Sequence, residues 1–307
     1  MYNFTFMLKT YEKDFPYAER LLASFAKHNR DGIHCYVVAP RESGKVLFDA
    51  LSDEIKKNVS FIAEEEWGEL LTDESINGIR AGYINQEIIK LSFWEKGLCE
   101  NYCCLDSDGV FIRDFYLSDF MFDEKTPYTV LIEDNELKSD PFYYQCYWIK
   151  REEYLRKIQQ ELGLTAKKLL TCHGFQNFNC RVLTDLKSEF MEPKRYSYID
   201  LMRIAPYEFS WYNLWLQKCN AIAIHPCEPM FLYFHMKHQL YLSWILGRRM
   251  EDLKRSYVGI VINSNWAQGK LMSYFDKRER FQCGKWGIIR ALKSIRLADG
   301  DRKEKER

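Results

Sequence analysis

Asp106 and Asp108 flank Ser107 directly after the apolar run Tyr102–Leu105 and just before Gly109. In an extended segment, residues two apart point the same way, so both carboxylates face one point in space. Paired oxygen donors of this kind suit a hard divalent cation, Mg²⁺ or Mn²⁺, which keeps further positions for phosphate oxygens. In a sugar transfer such a cation stabilises the charge on the departing nucleoside diphosphate. Taken alone, Asp-Ser-Asp followed by Gly reads as a turn, since these residue types dominate turns. Its setting decides between the two.

The elements that must position this pair show a clear periodicity. Residues 3–8 and 33–39 read as buried strands, and between them Ala18, Leu21, Leu22, Phe25 and Ala26 share one helical face closed by the polar run 29–32. A weaker helix over 44–53, a strand over 58–62 and a helix over 84–97 follow, the last with Ile88, Leu91 and Trp94 on its apolar face. The carboxylates come next, in a strand, turn, strand pattern, where a buried strand surfaces. A strand over 128–133, a polar helix over 150–162 and an aromatic stretch over 196–240 complete the body. This alternation predicts an α/β fold, a mixed sheet flanked by helices.

The chain has 307 residues, 47% of them hydrophobic, enough for a sizeable core. Lys plus Arg equals Asp plus Glu at 44 each, which argues against nucleic acid as a partner. The ten cysteines include no C-x-x-C pair and read as reduced, mostly buried side chains. The first residues lack the features of a secretory signal, and no run approaches the roughly 18 apolar residues of a membrane span. The expected location is cytoplasmic or peripheral on the inner face of the membrane. A single body over 1–268 is expected, with a nucleotide-binding half to about 125 and an acceptor half over 126–268. Residues 269–307 form a basic extension, in which Trp286, Ile288, Ile289, Leu292, Ile295 and Leu297 space along one helical side opposite Lys and Arg. That pattern suits a helix lying on anionic lipid, or one docked on its own domain.

The segment AGYINQEIIKLSFWEKGLCENYCCLDSDGVFIRDF, together with LKTYEKDFPYAERLLASFAKH, resembles metal-dependent glycosyltransferases of the GT-A fold, whose sheet is Rossmann-like. The likeness is strongest to a largely uncharacterised bacterial group, and it extends more loosely to GIVINSNW. It implies that Thr10 and Tyr11, at the carboxyl end of the first strand, line a nucleotide pocket, with Ser107 between the metal carboxylates. Tyr11 would stack on the base or cap the first helix. Asp14 would accept a hydrogen bond from base or ribose, or cap the helix that starts at Phe15-Pro16. Gln86 and Lys90, four apart, project from one helix face toward the diphosphate and donor sugar. The family often completes its metal site with a distant histidine, which points to His235, with His225 and His238 as rivals. His173 would contact acceptor or phosphate.

Two carboxylates compete for the role of general base, Glu208 ahead of an aromatic helix and Asp134 in an acidic segment beside a strand end. The expected reaction moves a sugar from a nucleotide-sugar, a UDP-sugar being favoured, to a hydroxyl of a glycan or lipid-linked glycan, as in surface polysaccharide or lipooligosaccharide assembly. Inversion at the anomeric carbon is favoured over retention. Two other readings compete. Metal-dependent nucleotidyl or phosphoryl transfer also uses paired carboxylates, though no G-x-x-x-x-G-K-[ST] loop supports its common form. A non-catalytic nucleotide-sugar or carbohydrate-binding module is the other.

Overall fold

A computed structural model describes residues 1–172 and 174–264, apart from the side chain of Trp244. The basic extension, Cys283, the boundary near residue 268 and His173 lie outside the described residues.

The described residues form ten strands: β1 (Tyr2–Lys9), β2 (His34–Ala39), β3 (Val59–Ala63), β4 (Cys99–Asp106), β5 (Gly109–Phe111), β6 (Tyr128–Val130), β7 (Asn177–Asn179), β8 (His225–Cys227), β9 (Phe231–Phe234) and β10 (Gly259–Ile262). The central sheet has the order β3-β2-β1-β4-β7, parallel throughout except for β7 at the edge. β5, β10 and β9 make a second, mixed sheet, and β6 pairs with β8. This is the mixed sheet expected from the alternation of strands and helices.

β1 and β4 are buried on both faces, as inner parallel strands must be. Phe4, Phe6 and Leu8 join Cys103 and Leu105 in one core with the Phe15–His28 helix, while Met7, Tyr102 and Cys104 face the other, beneath the Ala81–Ser92 and Glu208–Leu216 helices. Phe6 is the hub of the first core. Its ring lies within 5.0–5.8 Å of those of Phe4, Phe25, Phe111, Phe115 and Phe120, mostly edge-on. Phe111 and Phe115 follow the carboxylates, so this cluster fixes the chain just past Asp108.

Several boundaries differ from those read in the sequence. The expected strand over 128–133 ends at Val130, and Asp134 takes a left-handed φ of 54° instead. The strand after the carboxylates, β5, leaves the central sheet for the second one. Among the cysteines, Cys35, Cys99, Cys103, Cys104 and Cys172 are buried, and Cys146, Cys180, Cys219 and Cys227 are half-buried; all nine are free thiols. No helix of the described residues is long and apolar enough to cross a membrane.

Replacing Phe6 by Ala should cost about 3–5 kcal/mol, the usual penalty for emptying a large aromatic site. Urea denaturation checks this, and a loss under 1 kcal/mol would show that the cluster does not anchor β1.

Candidate active site at the end of the central strands

In the central sheet the chain leaves β1 for β2 on one side and reaches β4 on the other, so the strand order reverses between β1 and β4. Open α/β sheets bind ligands at such a point, beyond the carboxyl ends of the strands. Lys9 and Asp106 stand in register at those ends. The next residues also meet: Ser107 Oγ donates to Thr10 Oγ1 at 3.0 Å, both side chains being buried. The two strand ends are thereby tied together. Asp108 is held from the far side, its Oδ2 accepting the Ser264 N–H at 2.8 Å beyond β10.

Lys90 binds the first carboxylate. It comes from the Ala81–Ser92 helix, is 2% exposed, and places Nζ 2.9 Å from Asp106 Oδ1 and 3.1 Å from Glu208 Oε1. The first contact is a hydrogen bond; the second is an ion pair without hydrogen-bond geometry. Burial alone would lower the Lys90 ammonium, but Asp106 and then Glu87 hold it above its ordinary value. Glu87, one turn earlier and equally buried, is pushed up to about 8 by burial, against the pull of Lys90. Asp108 is raised to about 7 by burial and then by the neighbouring Asp106 carboxylate, with the Ser264 N–H opposing. Two crowded carboxylates thus share less positive charge than they need.

That shortfall is the test for a cation. The donors are hard oxygens, and the raised Asp108 signals negative charge that a divalent ion would compensate. Among the described residues no three His, Cys, Asp or Glu side chains form a group able to hold a metal. The pair therefore fits an ion that completes its shell with phosphate oxygens and water, and does not fit a closed protein cage.

The remaining sequence candidates divide. Tyr11 follows Thr10, with the Arg80 guanidinium 5.7 Å from its ring centroid and Arg80 Nη2 donating to its hydroxyl at 3.4 Å. Asp14 occupies the N-cap position of the first helix, but its side chain makes no capping bond; its carboxyl is raised by burial and by Asp106, against Arg80. The expected cap is thus absent, and Asp14 faces the charges of the site instead. Gln86 is half-buried on the helix that carries Lys90. Glu208 belongs to the Lys90 cluster and opens its helix itself, where the sequence placed it ahead of the helix. Asp134 lies elsewhere, 3.8 Å from the Arg151 guanidinium, and lines a cavity of about 1060 Å³.

His235 is not gathered with Asp106 and Asp108 into a metal group. Its ring stacks on Tyr233 at 5.1 Å and tilts against Tyr143 at 5.4 Å, among aromatics that bury it. Burial, then Arg151, lowers it to about 3, so it is neutral at physiological pH. Among its rivals, His225 stacks on Phe122 at 3.5 Å and His238 pairs with Asp140.

Three groups escaped the sequence reading, Glu87, Arg80 and Arg151, whereas Tyr233 belongs to the aromatic stretch it singled out. Glu87 could have been found, because it stands three residues before Lys90 on the same helix face. Tyr233 feels both Asp106 and Asp108, its hydroxyl accepts the Phe175 N–H at 3.1 Å, and it also lines the cavity beside Asp134. Its ring packs on Gly174, where an added Cβ would fall 2.0 Å from it and where φ is +107°; only glycine fits there.

Residues 4–160 match the sequence family described as a family of unknown function (DUF6492). The chain belongs to this family. The matched part of this DUF6492 chain carries Thr10, Lys90, Asp106, Asp108 and Asp134, while Glu208 and His235 lie beyond it. No curated protein matches the sequence. Among solved structures, an active-site mutant of LgtC is 14% identical with a TM-score of 0.50, over 88% of this chain and 94% of that one. Galactosyltransferase LgtC with donor and acceptor sugar analogues gives 14% and 0.49, over 89% and 95%. The WbbM bifunctional glycosyltransferase gives 12% and 0.45, over 85% of this chain and 45% of that one. The chain therefore has the α/β fold of GT-A glycosyltransferases.

Two measurements follow from the charge pattern. Lys90→Met leaves Asp106 and Glu208 without their shared cation and should cost about 3–5 kcal/mol, part of which returns in Lys90→Met/Glu208→Gln. Additive losses in urea denaturation would contradict the coupling. Asp108 has a folded value above the ordinary 3.8, so its contribution to stability is full below about pH 4 and lost as pH rises through about 7. Metal-free Asp108→Asn should gain on the native chain across that window by up to about 1.4 kcal/mol per pH unit. Parallel pH profiles would refute this.

Proposed function

We infer that the chain transfers a sugar from a nucleoside-diphosphate sugar to a hydroxyl of a glycan or lipid-linked glycan. The reading is carried by one observation: two crowded carboxylates stand at the switch point of a GT-A sheet, one of them bonded to a buried lysine. In the reaction the bond from the anomeric carbon to the phosphate oxygen breaks and a bond to the acceptor oxygen forms. The acceptor proton is released, and the nucleoside diphosphate leaves.

Asp106 and Asp108 hold a divalent cation, Mn²⁺ or Mg²⁺, which when bound neutralises the diphosphate and stabilises its departure. Lys90 keeps Asp106 in place and adds positive charge beside the phosphates. Glu208 positions Lys90. Thr10 and Tyr11 line the nucleotide side, Ser107 fixes the two strand ends, and Asp14 with Arg80 faces the base or ribose. The basic sequence of residues 270–307 supports an acceptor presented at an anionic membrane on the cytoplasmic side.

The test is release of nucleoside diphosphate from a panel of nucleotide-sugars with Mn²⁺, UDP-sugars first. Donor hydrolysis should fall at least about 100-fold in Asp108→Ala, in line with loss of a main transition-state charge stabiliser. The true donor should also raise the melting temperature only when Mn²⁺ is present. A folded chain that turns over no nucleotide-sugar, or an Asp108→Ala variant as active as the native chain, would rule the reading out.

A further inference from the structure

Beside the carboxylate site lies the cavity of about 1060 Å³, at the upper end of small-ligand sites. Tyr233 is common to both, since it lines the cavity and stands in register, across Val261, with Gly109, the residue after Asp108. Phe142 and Phe234 give the cavity further aromatic surface of the kind that packs on the C–H faces of sugars.

Asp134 is the unusual member of the wall. It is 3% exposed, and neither carboxylate oxygen accepts a hydrogen bond. Arg151 stands 3.8 Å away, an ion pair too long for a hydrogen bond, and Lys138 acts on it through charge alone. A buried carboxylate left in this condition is costly unless a ligand supplies the missing donors. Its φ of 54° adds backbone strain that an ordinary loop residue avoids.

The remaining charges of the wall give the ligand a sign. Glu133 is paired with Lys168, Asp134 faces Arg151 at 3.8 Å, and Asp140 shares a hydrogen bond with His238. The exposed Glu136 and Glu228 are left, with Arg248 against them. An anion entering here meets a net negative wall, whereas hydroxyl and amine groups find acceptors.

We propose that this cavity is the acceptor site, and that it takes a saccharide bearing hydroxyl or amine groups and no negative charge, with Asp134 accepting their hydrogen bonds. The proposal rests on the glycosyl-transfer reading and adds to it the chemical class of the acceptor.

Calorimetry on the full chain with three tetrasaccharides tests it: a glucosamine tetramer, its neutral N-acetylated form and a galacturonate tetramer. The first two should bind at least about tenfold more tightly than the third. Asp134→Asn should weaken the neutral probe at least about tenfold, as loss of a charged acceptor does. Glu136→Gln/Glu228→Gln, altered only at exposed positions, should narrow the gap between cationic and anionic probes and keep the fold intact. Equal binding of the galacturonate tetramer, no binding by any probe, or an unmoved gap in the double variant overturns the proposal. Acceptor-independent release of nucleoside diphosphate is followed in parallel. If it persists while saccharide binding fails, the cavity assignment falls alone; if saccharides bind as stated and no donor is hydrolysed, the glycosyl-transfer reading falls alone.

Discussion

A single buried ammonium organises the site. Lys90 is enclosed by two helices and the end of a strand, and its charge is met by Asp106 on one side and Glu208 on the other. A cation so deep is tolerable only while it is paired, and each carboxylate in turn needs the cation. Three elements are therefore locked to one point: the Ala81–Ser92 helix, β4, and the aromatic helix a hundred residues later. The tie matters more for geometry than for net stability, since buried ion pairs repay little beyond their desolvation cost.

Asp108 has no such partner. It lies on the other side of the turn, accepts only a backbone N–H, and bears the repulsion of Asp106. The contrast within two residues is informative. One carboxylate is satisfied by the protein and fixed in direction; the other is fixed in direction and left short of positive charge. Preorganised, undercompensated oxygens of this kind are what a site for an exchangeable cation would require.

The sequence made the frame of this site legible because local periodicity carries it. The apolar runs of β1 and β4 could only be inner strands, and the residues directly after them had to surface together; Thr10 and Ser107 meet as that logic requires. Helical spacing put Lys90 on one face with Gln86, and the family resemblance gave it a role there. What stayed hidden depends on contacts between distant segments. Arg151 sits in a helix that reads as polar and solvated, yet it is buried because Asp134, in a left-handed conformation no pattern announces, stands opposite it. The cap expected at Asp14 failed for a related reason, since nearby charges from Arg80 and Asp106 act on a side chain that local rules assign to the helix.

The two regions joined by Tyr233 are both acidic, yet they handle charge in opposite ways. At the strand ends, crowded carboxylates lie beside a lysine, so the arrangement suits a cation that then attracts a diphosphate. Around the cavity, Lys168 and Arg151 already face Glu133 and Asp134, and the exposed Glu136 and Glu228 have Arg248 of the lining against them. No metal group is formed there among the described residues. An anionic ligand is therefore favoured only on the carboxylate-pair side of Tyr233, and a hydroxyl-rich one on the other. Tyr233, which lines the cavity and lies in register across Val261 with Gly109 beside Asp108, packs its ring directly on the Gly174 backbone, which only glycine allows.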